Sequence, residues 1–182
     1  MSEISLEQRV ETLEKQLREL KDQRKDCLSM VVFSNDLDKI LAALIISVGA
    51  AAMDTEVRLF FTFWAISALR DKNKKIKGKD MKSRMFGSML PHGTEQLKLS
   101  KMNMEGIGRD MIRGLMKEKN VTSPEELLST AAELGVKINI CEMSMDLMGF
   151  KKEEMIDYPD LSYCGVATFL ADAGESSIQL FI

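Results

Sequence analysis

Among its 182 residues the chain has one histidine, three cysteines, three prolines and one tryptophan. The single histidine, His92, excludes metal sites built on several imidazoles, and any Ser-His-Asp or Cys-His device would have to use it. Cys27, Cys141 and Cys164 form an odd, widely spaced set with no CxxC pair. That is no disulfide framework, and it points to a reducing, cytoplasmic setting. The longest apolar run, residues 40–53, is broken only by Ser47 and Gly49. It is too short to span a bilayer comfortably and reads as a buried helix, so no membrane span is expected. The formal charge is only −3, and no aromatics interleave with the basic residues, so nucleic acid is not an expected partner. The charged, heptad-patterned start is not a signal peptide.

What is present is enough for one compact domain with a full core. In residues 5–25, Leu6, Val10, Leu13, Leu17 and Leu20 fall at alternating spacings of four and three, an a/d seam flanked by charge. Two readings stay open for this amphipathic helix of residues 1–26: a coiled-coil arm, or a helix packed on its own domain, residues 27–182. From Cys27 the pattern alternates. Apolar runs at 27–34, 56–63, 136–141 and 176–182, with a short one near 160–163, read as strands. Helical stretches at 36–53, 64–71, 103–119, 124–134 and 165–173 separate them. Ser123, Pro124 and Glu126 spell a helix start, and Gly135 and Gly149 spell stops. Continuous apolar strands joined by helices indicate an α/β fold with a mostly parallel sheet of about five strands, covered on both faces.

The chemistry centres on residues 136–149, VKINICEMSMDLMG. A strand stops at Cys141 and a helix starts at once. The C-terminal ends of parallel strands are where such proteins place their sites. A helix N-terminus there would favour the thiolate. Glu142 would oppose it, since a nearby carboxylate raises a thiol pKa. Cys164, just before another helix, is a candidate second thiol on the same edge. Cys27 begins its strand and reads as a small core residue. Asn35 and Asp36 follow the first strand and Phe63 and Trp64 the second. With Ser144 and the turn residue His92 they are candidates for a pocket at that edge, or for ordinary loop capping.

Two compositional features need weighing. Eleven of the fourteen methionines lie between Met81 and Met155. They suit an adaptable core or contact surface better than a soft-metal site, so no metal or cofactor is expected. Residues 70–84 hold eight Lys/Arg against two acids, whereas residues 153–182 hold six acids and no Lys or Arg. This reads either as a solvated loop or as two surfaces that meet, between subunits for example.

Several segments together carry a resemblance. Phe33–Asp36 with Asp38, GAAAM, FFTFW, the LP.G turn with LKLSKMNM, CEMSMDLMG, KEEMID, GVATFL and the final LFI are similar to the DsrE/DsrF/DsrH-like sulfur-relay family, in its peroxiredoxin-like DsrE branch. The resemblance implies a three-layer α/β/α domain and symmetric homo-oligomers, trimers or hexamers. It also implies a cysteine, here Cys141, that carries persulfide sulfur between donor and acceptor proteins. The alternative expectation is a non-catalytic interaction subunit of a sulfur- or redox-related complex.

Overall fold

The computed structural model describes residues 6–23, 25–74 and 81–182. Five strands form one sheet: β1 (Lys25–Val32), β2 (Glu56–Phe61), β3 (Lys137–Cys141), β4 (Leu161–Cys164) and β5 (Ser176–Phe181). Their order is β4-β3-β2-β1-β5, and every neighbouring pair is parallel. The helices are α1 (Leu6–Gln23), α2 (Leu37–Ala51), α3 (Met81–Met89), α4 (Ile107–Glu118), α5 (Pro124–Glu133), α6 (Glu142–Met148) and α7 (Val166–Glu175). They lie on both sides of the sheet, as the alternating pattern predicts.

Strand alternation sorts the two faces. Leu28, Met30 and Val32, Val57, Leu59 and Phe61, and Ile138 and Ile140 all belong to one buried apolar cluster. On that side α2 adds Leu37, Ile40, Ala43 and Leu44, α5 adds Leu127 and Ala131, and α6 adds Met145 and Met148. The intervening residues, among them Ser29, Arg58 and Asn139, face the other way. There α7 lies across the sheet, with Phe169 stacked on Phe60 at 5.2 Å between ring centroids.

The change of face follows from handedness. From β1 the chain steps in one direction through β2, β3 and β4, then jumps back past β3, β2 and β1 to β5. Parallel crossovers are right-handed almost without exception, so a connection that reverses direction must cross on the opposite face. The helices between β1 and β4 therefore share the apolar side, and α7 alone carries the return.

Local signals explain the element ends. Ser123 Oγ accepts from the Glu126 N–H at 3.2 Å while the Glu126 carboxylate accepts from the Ser123 N–H at 2.9 Å, the capping box read from the sequence. Gly149 ends α6 at φ 65°, where an added Cβ would lie 1.9 Å from Ser83 Oγ. Residues 64–71 do not form the expected α-helix. Phe63–Leu69 is a 3-10 segment, drawn off because the backbone of Arg70 bridges to Met155 and its buried guanidinium meets Glu154 at 3.1 Å. The helix expected from residue 103 starts at Ile107, after a turn with Glu105 and Gly106 at positive φ. β1 begins at Lys25, two residues ahead of the expectation, because Lys25 pairs with Ser176 of β5. In α1, the seam residues Leu6, Val10 and Leu13 are exposed; the side chains of Leu17 and Leu20 lie outside the described residues.

Candidate functional site

The connections leaving β1, β2 and β3 turn toward the apolar face, and the one leaving β4 turns toward α7. The chain thus parts to opposite sides between the ends of β3 and β4. In parallel α/β sheets that crevice, outside the strands' C-terminal ends, is the usual place for a site. Cys141 and Cys164 are the last residues of those two strands, and they are register partners. Partners on neighbouring strands put their Cα atoms about 4.8 Å apart with side chains on one face. That lies inside the roughly 4.4–6.8 Å spanned by bridged cysteines. Both thiols are free. The short strand expected at 160–163 lies one residue further on, which turns Cys164 from a loop residue into the strand end beside Cys141.

The setting of Cys141 corrects one expectation. Its residue is only 3% exposed, so the sulfur does not open freely at a helix mouth. Cys141 is the N-cap of α6 yet makes no side-chain capping bond, and α6 is seven residues, under two turns. With no loop between β3 and α6, the Cys141 side chain keeps the alternation of its strand. The macrodipole of so short a helix adds little. Glu142 does not point its charge at the thiol unanswered: its carboxylate meets Lys152 Nζ at 2.8 Å, and that amine stands 4.5 Å from the Tyr163 ring centroid. Cys164 is only half-buried. Burial pushes its thiol pKa up, the charges of Asp172, Cys141 and Glu142 add to the rise, and a hydrogen bond with the Thr168 side chain opposes it.

Below the thiols, the same face carries a polar network. Arg58 pairs with Asp172 of α7 and with Glu56 at 3.0 Å. Asn139 Nδ2 donates to Asp172 at 3.4 Å, and Ser162 donates to Asn139. Lys137 reaches Glu56 at 2.7 Å. The hydrogen bond from Arg58, then that from Lys137, hold the Glu56 carboxyl down at about 2. These residues fasten α7 over the crevice, and the sequence reading did not single them out. Their signal was there: in EVRLFF and KINIC a polar residue breaks an apolar run at alternate places. Cys27 shares this face, buried against Ser176 Oγ at 3.3 Å. Glu56 is level with Cys27 and Lys137 with Arg58. Cys141 is therefore about six residues further along, on the order of 20 Å away.

The other candidate residues do not gather round the thiols. Asn35 and Asp36 line a cavity of 320 Å³ with Ser88, Pro91 and Lys98. His92 borders a separate depression of 120 Å³ beside Arg70 and Glu95. Phe63 packs on Phe33 at 5.3 Å between centroids, and Trp64 is partly exposed. Ser144 is fully buried and hydrogen-bonds Thr62 at 3.0 Å, which ties α6 to the end of β2. The charge asymmetry closes within the chain, since Arg70 pairs with Glu154 and Lys74 with Asp157 at 2.6 Å; residues 75–80 of the basic run lie outside the described residues. Met143 is exposed and Met145 buried, because positions two apart on a helix point to different sides. Among the described residues no group of three His, Cys, Asp or Glu side chains could hold a metal, and no helix is long and apolar enough to cross a membrane.

Comparison with known proteins gives the family. A family profile described as DsrE/DsrF/DrsH-like covers residues 24–181. "Uncharacterized protein YrkE" of Bacillus subtilis is 47% identical over 154 residues, spanning 85% of this chain and 95% of the relative. "Sulfur carrier protein DsrE2" of Allochromatium vinosum is 34% identical over 160 residues, spanning 85% of this chain and 97% of the relative. The chain belongs to the DsrE/DsrF/DrsH-like family.

Proposed function

We propose that this chain is a sulfur-relay protein that holds sulfane sulfur as a persulfide on Cys141. The observation that carries the reading is the pair of free thiols in register at the one crevice where the sheet's connections part. The relative named a sulfur carrier supports it. The chemistry requires no cofactor. A thiolate attacks the outer sulfur of a donor persulfide, the donor S–S bond breaks, and the donor cysteine leaves as thiolate. The reverse attack, by an acceptor cysteine, discharges the protein. Its partners are donor and acceptor proteins that present such cysteines. The working form is a cytoplasmic homo-oligomer, a trimer or hexamer.

The test is retained sulfur. After incubation with a persulfide donor, removal of the donor and a brief thiol wash, the wild-type chain keeps one sulfur, about 32 Da, on the Cys141 peptide. Cys141→Ser keeps none. Equal retention in the two proteins would overturn the reading. A second reading, an interaction subunit, is favoured by the exposed apolar stripe of Met104, Ile107, Met111 and Leu115 along and just ahead of α4. It predicts a tight oligomer whose Cys141 neither labels nor loads.

A further inference from the structure

The carrier reading leaves a difficulty: a cysteine whose residue is only 3% exposed must exchange sulfur with a thiol on another protein. Attack at sulfur is in line, so the incoming group needs a clear approach. Cys141 offers little, but its register partner does. Cys164 ends the edge strand β4, is half-buried, and lies one strand spacing away on the same face. Beyond it the chain turns through exposed residues, Gly165, Val166 and Ala167, into α7.

Resting on the carrier reading, we infer that Cys164 is the port of the site: sulfane sulfur enters and leaves on Cys164 and crosses the β3–β4 pair to a sheltered store on Cys141. The crossing is a transpersulfidation. The Cys141 thiolate attacks the outer sulfur of Cys164–S–SH. A new S–S bond forms on Cys141 as the one on Cys164 breaks. The bonding pair stays on Cys164 Sγ, which takes a proton from water, and the transferred sulfur keeps its hydrogen. The products are Cys141–S–SH and Cys164–SH, with no net oxidation and no further reactant. Cys27, on the order of 20 Å away along the strands, takes no part. Burial gives the store its purpose, since small thiols that strip exposed persulfides do not reach it.

The experiment is timed loading of the whole chain with inorganic polysulfide, followed by capping, digestion and mass spectrometry of the peptides holding each cysteine. In the wild type the added sulfur appears first on Cys164 and then on Cys141. In Cys164→Ser the loading of Cys141 slows at least tenfold. In Cys141→Ser sulfur still reaches Cys164 but is stripped by glutathione at least tenfold faster than from the wild type. Wild-type loading of Cys141 in Cys164→Ser overturns the port while leaving the carrier reading intact. No sulfur on either thiol of the wild type overturns the carrier reading and the port with it. A measurement on the unmutated chain guards against folding defects. Diamide, an azo oxidant that takes up two hydrogens, joins Cys141 to Cys164 in an intramolecular disulfide, with a loss of about 2 Da. Failure of that bridge in folded protein also overturns the inference.

Discussion

The two faces of the sheet are built for different work. One is closed by α2, α5 and α6 over Leu28, Met30, Leu59, Phe61, Ile138 and Ile140. The other is crossed by α7 over Ser29, Arg58 and Asn139 and ends in two thiols. Apolar burial is non-directional and cumulative, so the first face supplies stability. A polar network is directional and satisfied group by group, so the second face can position chemistry and open locally at less cost. The thiols stand on this second face.

Three tests would break or sharpen that contrast. Leu59→Ala, on the fully buried apolar face, should cost about 3 kcal/mol, within the usual 2–5 for such truncations, whereas Asn139→Ala, on the other face of the neighbouring strand and level with Phe60, should cost about 1. Urea unfolding of the two variants measures the difference, and equal losses would abolish the distinction between faces. Phe169→Ala removes the stacking of α7 on Phe60 and should cost about 2 kcal/mol. Alkylation of Cys141 in native buffer should then speed up severalfold more than global stability accounts for. Labelling that merely tracks unfolding would show that α7 does not open by itself.

The smallest effect is in acid. The folded-state pKa of Glu56 is about 2, below the ordinary value of 4.5. A depressed carboxyl contributes stability that is present above 4.5 and is lost as pH falls toward 2. Its side chain is 35% exposed, so solvent screening limits the loss to about 0.5–1 kcal/mol. Glu56→Gln should flatten that part of the pH profile, read from melting temperatures between pH 5 and pH 2. An unchanged slope would remove Glu56 from the network's contribution.

Much of the fold was legible because its signals are local. The apolar runs at β1, β2 and β3, the Ser123–Glu126 box and the glycine stop at Gly149 each act within a few residues. The position of Cys141 at a strand end was legible for the same reason. The failures share another cause. Residues 64–71 read as a helix until Arg70 is pulled to Glu154, eighty-four residues away. The basic and acidic segments leave a solvated loop and two meeting surfaces both open until Lys74 pairs with Asp157 inside the chain. Arg58 and Asn139 go unremarked in the sequence because their partner, Asp172, arrives on α7 from the far end of the chain.

The sequence by itself determined that this is a parallel α/β domain of the DsrE/DsrF/DrsH-like family with a thiol closing its third strand. Periodicity, caps and stops are written within a few residues of where they act. Tertiary structure alone decided that Cys164 stands beside Cys141 and that Cys141 is covered. Register between strands and the face taken by the last crossover are set by pairing and handedness across the whole sheet, which no local stretch encodes.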